Sequence, residues 1–157
     1  MIQRLSKAAS VIPAVIWMYV IYDLSDKPAP KSSVQSETLA LRLVRMSTRF
    51  SSMTEGERVQ LSLIIEPYIR DIAHMAEYAI LFILLYIAMR VYISGRCGAL
   101  ILSLAICFVY ACTDEIHQYF VPGRAFELID IGLDTLGAVI AAVLLLFITK
   151  RQKNVSH

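Results

Sequence analysis

The chain has 157 residues, 57% of them hydrophobic, and its 15 basic and 13 acidic side chains give a formal net charge of +2. Apolar residues together with glycine make up roughly 45–50% of ordinary soluble domains, so this composition excludes a typical soluble protein. The mean hydropathy of +0.61 points the same way. Soluble helices also need a polar face, which the long uncharged stretches of this chain lack. We therefore interpret residues 1–157 as a single all-α membrane domain.

Four apolar stretches predict membrane-spanning helices, at residues 5–24, 76–93, 99–119 and 129–149. About 20 residues are needed to cross the hydrocarbon layer of a bilayer. The apolar part of the third stretch is shorter than this, so the polar segment after it is predicted to continue the helix toward the membrane surface or to dip into it. Basic residues before the first stretch suit a signal peptide, but no small-residue cleavage pattern follows, so we expect this stretch to be retained as a helix.

The long connection between the first two spans is predicted to be an amphipathic helical loop outside the hydrocarbon. Prolines and serines at its start favour turns, and Ser36 is a candidate N-cap for the helix that follows. Thr54 and Glu57 have the spacing of a capping box, which predicts a second amphipathic segment. Pro67 predicts a break or kink before span two. The first of these helices is predicted either to lie in the headgroup layer or to pack against the tops of the spans.

The basic residues predict the side of the membrane on which each loop lies. Both tails and the short loop between spans two and three contain basic residues and no acidic residue; these are Arg4, Lys7, Arg90, Arg96, Lys150, Arg151 and Lys153. All 13 acidic residues fall on the opposite side. By the positive-inside rule, both termini are predicted to be cytoplasmic, and the first and third loops to face outward.

Ionisable groups are concentrated at the ends of the spans that this topology places outside. Span two begins with His74, Glu77 and Tyr78, whose spacing puts them on one helical face. The end of span three and the start of span four contribute Asp114, Glu115, His117, Gln118, Asp130 and Asp134. Charged side chains in a membrane are costly to desolvate, which favours a functional role. We expect the folded bundle to bring these clusters together.

A short turn connects spans three and four. Pro122 followed by Gly123 suits the two central positions of a type II turn, because proline holds φ near −65° and glycine accepts a positive φ. The turn presents Arg124 next to the carboxylates on either side, so we expect a helical hairpin with an arginine at its tip. Small residues in span four predict close helix packing; these are Gly132, Gly137, Ala138, Ala141 and Ala142.

Three segments together match the pattern of a known family. They are the opening W…DLSDKP…S after span one, IRDIAHMAEYAIL at span two and TDEIHQYFVPGRAFELIDIGLDTLGA around the hairpin. With these segments the chain resembles the VanZ-like family of small bacterial membrane proteins over nearly its whole length. The family pattern marks His74, Glu77, Tyr78, Asp114, Glu115, His117, Gln118, Pro122, Gly123, Arg124, Asp130, Asp134 and Gly137. The resemblance implies a bacterial inner-membrane protein and a link to resistance against the glycopeptide teicoplanin, and it implies no particular reaction.

The residues leave three functions open. In the first, the outer groups bind an envelope component, such as a phosphate-bearing lipid or polymer, or a glycopeptide, and Arg124 makes a forked contact with phosphate. In the second, the protein is a hydrolase or transferase for a lipid-linked substrate, with His74, Glu77 or His117 as catalytic candidates. In the third, the groups form an ion-pair network that only locks the hairpin to span two.

The same groups provide candidates for a cofactor and for ligand binding. A divalent metal ion is a candidate cofactor, with His74, His117 and Asp130 as candidate ligands. The binding candidates are Tyr78, Asp114, Glu115, Gln118, Arg124, Asp130 and Asp134. The expected surroundings are the lipid bilayer, and no nucleic acid is expected as a partner.

Overall fold

The computed structural model describes the backbone of residues 2–155 and the side chains of residues 7–151. Within this range the chain is all-α, as predicted, with no strand. Its helices are α1 (Ile2–Ser25), α2 (Ala29–Met46), α3 (Glu55–Tyr92), α4 (Arg96–Gln118) and α5 (Leu128–Val155), with a 3₁₀ helix at Thr48–Phe50. The side chains of Arg4 and Lys153, which belong to the predicted charge bias, lie outside the described residues.

Four of these helices are long and apolar enough to cross a membrane, which confirms the predicted number of spans. The spanning segments are Lys7–Ser25, Glu55–Tyr92, Arg96–Gln118 and Leu128–Arg151. The prediction that the polar end of the third stretch continues its helix is also confirmed, because α4 runs to Gln118 without a break.

The connection between α1 and α2 is shorter than predicted. α1 continues to Ser25 and α2 begins at Ala29, so a turn of three residues replaces the expected irregular stretch. The prediction that Ser36 caps the helix was wrong, because Ser36 lies inside α2 and its hydroxyl donates to Glu66. Pro30 explains the early start of α2. Its fixed φ suits the first turn of a helix, where a missing N–H costs nothing.

α3 merges two predicted elements into one helix of 38 residues. The predicted capping box is confirmed, since the Glu57 N–H donates to the Thr54 hydroxyl and the Thr54 N–H donates to the Glu57 carboxylate. Of the break or kink predicted at Pro67, the break was wrong, because the helix continues through this residue. Proline removes one backbone hydrogen bond, and the packing of α2 along the N-terminal half of α3 supports the turns around it. Ala40 and Val44 are the buried residues of α2.

α3 lies at the centre of the bundle and packs against α1, α4 and α5, with α5 as its most extensive neighbour. Gly137 makes this close approach possible, because its backbone lies against that of Met75. Three small residues are buried nearby in α5, at Ala138, Ala141 and Ala142, as the small-residue pattern predicted. Gly132 does not take part, since a methyl group added there would meet no atom within 4 Å.

Candidate functional site

Polar side chains from four elements surround two adjoining cavities at the end of the bundle that carries the α4–α5 turn. The larger, here the main cavity, has a volume of about 250 Å³. Its polar lining includes Ser25, Ser32, Ser36, Arg70, His74, Glu77 and Arg124. The smaller, here the side cavity, has a volume of about 150 Å³. Both cavities are lined by Ser32, Arg70, His74 and Arg124, so these residues lie where the two cavities meet.

The turn before Arg124 has the predicted type II geometry. Gly123 has a φ of +79°, and the Arg124 N–H donates to the carbonyl of Val121 at 3.1 Å. The guanidinium folds back from the tip of the hairpin. Its Nε donates to the carbonyl of Lys27 at 3.0 Å, and its Nη1 donates to the side-chain oxygen of Gln118 at 2.7 Å. These bonds hold the guanidinium at the wall of both cavities.

The hairpin also docks against the beginning of α2. The Ala29 N–H donates to the carbonyl of Pro122 at 3.3 Å. A methyl group on Gly123 would come within 3.3 Å of the Ala29 side chain, so glycine is favoured there by its positive φ and by the close approach of α2. This contact closes one side of the side cavity.

Arg70 is a second guanidinium at the site, and the sequence analysis missed it. Burial lowers the pKa of Arg124, the carboxylate of Asp114 raises it, and the positive charge of Arg70 lowers it again. An arginine side chain keeps its charge under such shifts, because its ordinary pKa exceeds 12. A sequence signal existed, since Arg70 precedes His74 by four residues and therefore shares its helical face.

The predicted meeting of the α3 and α5 clusters is observed at His74 and Asp134. The His74 Nδ1 lies 3.6 Å from the Asp134 carboxylate. Asp134 is almost fully buried and lines neither cavity, whereas His74 lines both. The imidazole therefore lies between a buried carboxylate and the open space of the site.

Asp114 and Gln118 connect the core to the hairpin. The Asp114 carboxylate accepts hydrogen bonds from the Ser25 hydroxyl at 2.9 Å and from the Gln118 amide at 3.2 Å. Gln118 in turn accepts the bond from Arg124. Ser25, which was not predicted as a site residue, joins α1 to this chain of hydrogen bonds. Tyr78 is fully buried close to the same groups, and its hydroxyl has no hydrogen-bond partner among the described residues.

Glu115 has a structural contact. Its carboxylate accepts a hydrogen bond from the backbone N–H of Glu127, immediately before α5 begins. The first N–H groups of a helix lack partners within the helix, so this bond satisfies one of the groups at its start. Glu115 points a quarter turn away from Asp114, as its spacing predicted, and that direction faces α5.

His117 does not line either cavity. Its Nε2 lies 3.2 Å from the carboxylate of Asp26, and its ring centre lies 4.6 Å from that of Tyr22. The expected grouping of His117 with the other clusters is therefore not seen. Successive residues of a helix point in directions that differ by about 100°. His117 therefore faces α1, whereas the next residue, Gln118, faces the hairpin.

Glu77 lines the main cavity, and its backbone carbonyl accepts a hydrogen bond from the Trp17 indole at 2.8 Å. This bond ties α1 to α3. Asp130 and Glu127 line the side cavity. Carboxylates thus lie beside the arginines in each cavity.

The candidate metal ligands are not assembled into a metal site. Within the described part of the chain, no three His, Cys, Asp or Glu side chains come together so that they could hold a metal ion. His74 and Asp130 line the side cavity, whereas His117 faces α1. The ionisable groups that line the cavities are two arginines, a histidine and carboxylates.

A family model described as VanZ/LLP1 matches residues 10–149 of the chain. No curated protein and no solved structure shows significant similarity to it. The matched range includes every residue that lines the two cavities.

Proposed function

This chain belongs to the VanZ/LLP1 family, and from that premise we propose that it binds a phosphate-bearing component of the cell envelope. The observation that carries the proposal is the pair of guanidiniums, Arg70 and Arg124, at the wall shared by the two cavities. Guanidinium groups make forked, charge-assisted hydrogen bonds to phosphate oxygens. Two of them beside one cavity suit one phosphate group.

The neighbouring groups support a ligand that carries hydrogen-bond donors beside its phosphate. Ser32 provides a hydroxyl in the main cavity that can donate to or accept from a ligand, and the hydroxyl of Ser36, which donates to Glu66, can accept. Glu77 and Asp130 provide carboxylates, which accept hydrogen bonds from hydroxyl or ammonium groups. A headgroup with a phosphate next to hydroxyl or ammonium groups satisfies both kinds of side chain.

The size of the site favours a headgroup over a complete glycopeptide. Cavities that enclose drug-sized ligands have volumes of about 300–1,000 Å³. The main cavity, at about 250 Å³, lies just below that range. A glycopeptide antibiotic is larger than a drug-sized ligand, so most of it would remain outside. A lipid headgroup, or one repeat of a phosphate polymer, is of the right size.

The charge distribution supports an extracytoplasmic position for the site in the inner membrane. The end of α3, the start of α4 and the end of α5 lie at the opposite end of the spans, and they carry Arg90, Arg96, Lys150 and Arg151. The positive-inside rule assigns that end to the cytoplasm. The cavities then open at the outer headgroup layer, where envelope lipids present their phosphates.

Binding of a short-chain phosphatidylglycerol to the purified protein in detergent tests the proposal, with calorimetry as the measurement. Replacing Arg70 or Arg124 with Lys keeps the charge and removes the forked geometry, and we expect each change to weaken binding by about tenfold or more. Arg42→Lys is the matched control, because Arg42 is exposed on α2 and lines neither cavity. Equal affinities for all four proteins would contradict the proposal. Arg70→Lys is the cleaner variant, since Arg124 also holds the hairpin through Gln118.

A further inference from the structure

Two histidines at the hairpin end each face a carboxylate, and they differ in what lies on their other side. His117 pairs with Asp26, an exposed residue of the α1–α2 turn. His74 pairs with Asp134, which is buried in α5. Of these two histidines, His74 lines the cavities together with Arg70 and Arg124. A buried carboxylate, an imidazole and two guanidiniums thus follow one another from the core to the cavity.

The orientation of His74 determines which ring nitrogen is available to a ligand. Its Nδ1 faces Asp134, so the Nδ1–H tautomer is favoured and Nε2 is left as the basic nitrogen. A buried carboxylate behind an imidazole holds this tautomer and stabilises the imidazolium that forms when Nε2 takes a proton. The distance of 3.6 Å is long for a hydrogen bond, and catalytic hydrogen bonds commonly shorten when substrate binds.

The two arginines supply what phosphoryl transfer needs besides a base. During attack on a phosphate ester, negative charge is spread over the phosphoryl oxygens, and arginine side chains stabilise that charge. Positioned cationic donors beside a partly buried site are more effective than the same groups in water. Arg70 and Arg124 at the wall of the cavities thus suit the reacting phosphoryl group as well as the bound one.

From this arrangement we infer that the protein hydrolyses a phosphate ester at this site, with His74 as the general base and Asp134 as its positioning residue. The inference rests on the proposed binding function. The oxygen of a water molecule forms a bond to phosphorus while the bond between phosphorus and the oxygen of the leaving alcohol breaks. His74 Nε2 takes the proton that the water loses and later releases it to solvent, while the leaving oxygen on the opposite side of phosphorus takes a proton from solvent. Water is the co-reactant, and the products are a phosphate and an alcohol.

The test uses the full-length protein in nanodiscs, with phosphatidic acid as a phosphomonoester probe and phosphatidylglycerol as a phosphodiester probe. Binding is measured first, and products are then followed by phosphorus NMR. We expect turnover of at least one probe. His74→Gln is expected to lower kcat by about 10²–10⁴-fold, the usual contribution of a general base, and to change the affinity for the probe less than twofold.

Asp134 is tested by separating kcat from KM. Asp134→Asn preserves the shape of the side chain but not its charge, so we expect kcat to fall about 100-fold with KM nearly unchanged, and Asp134→Glu to restore part of the loss. A merely structural role would instead lower the folded fraction and leave the kcat of the folded protein unchanged. His117→Gln is the matched control and is expected to keep wild-type turnover.

Each outcome decides the inference. Wild-type protein that binds the probes and releases no product overturns the inference and leaves the binding function intact. Absence of binding overturns both. If His117→Gln loses as much turnover as His74→Gln, the assignment to His74 is wrong. If His74→Gln does not fold, the kcat values of Asp134→Glu and Asp134→Asn are compared instead. A ratio near one between them contradicts the assignment of Asp134 as the positioning residue of His74.

Discussion

The close approach of α3 and α5 at Gly137 leads to a stability prediction that separates packing from helix propensity. A methyl group on Gly137 would lie 2.7 Å from the Met75 Cα, whereas ordinary van der Waals contacts begin at 3.4 Å. The atoms that it meets belong to the backbone of α3, so no side chain can move aside. Gly137→Ala therefore requires the two helices to separate.

The expected cost follows from two opposing effects. Forced overpacking of a core costs about 1–3 kcal/mol. Replacing glycine with alanine inside a helix contributes about 0.8–1.0 kcal/mol of stability. Gly132→Ala is the matched control, because it lies in α5 and its added methyl group would meet no atom within 4 Å. The propensity gain is common to both variants, so the free energies of unfolding should differ by about 1–3 kcal/mol, with Gly137→Ala the less stable.

Reversible unfolding in mixed micelles, followed by circular dichroism during titration with a denaturing detergent, measures this difference. Gly137 lies three residues after Asp134, and Met75 follows His74, so separation of the helices should also widen the 3.6 Å contact between His74 and Asp134. We therefore expect Gly137→Ala to reduce any turnover as well as stability. Equal unfolding free energies for Gly137→Ala and Gly132→Ala would refute the packing argument.

Two further predictions address the topology and the start of α3. In intact cells, a membrane-impermeant maleimide should label a cysteine placed at the hairpin by Ala125→Cys in a Cys97→Ser background. The same reagent should leave Cys97 of the otherwise unchanged protein unlabelled, although both positions are exposed. Labelling of Cys97 alone would reverse the assigned orientation. Thr54→Ala removes the N-cap hydroxyl that Glu57 donates to, so the first turn of α3 should lose about 1 kcal/mol. Hydrogen exchange at the first amides of α3 measures this loss, and unchanged protection there would contradict it.

The elements of the fold were predictable from local sequence, and their boundaries were predictable only where a local signal marked them. Thr54 and Glu57 begin α3 as their spacing predicted. Ser36 and Pro67 gave wrong boundaries, because residues that favour caps and breaks in isolation lie inside helices once α2 and the N-terminal half of α3 pack together. Packing of this kind commonly outweighs local preference.

The candidate site was predictable in part. Its clusters were recognised because charged residues stand out against apolar spans, and His74, Gln118 and Arg124 do line the cavities. Arg70 was missed because it precedes the predicted span, in a segment where other charged residues are common. His117 was grouped with the other site residues because its spacing from Asp114 places both on one side of α4. Spacing alone does not show which neighbouring helix that side contacts, and His117 in fact faces α1.

The amino-acid sequence by itself determined that the protein belongs in a membrane, how many times it crosses, and that Pro122 and Gly123 turn the hairpin. These properties depend on hydropathy and on backbone angles, which are local. The tertiary structure decided that His74 meets Asp134, that Arg70 joins Arg124 and that His117 turns to α1. Each of these depends on how a helix is rotated about its own axis, and that rotation is determined by the packing of neighbouring helices, as at Gly137.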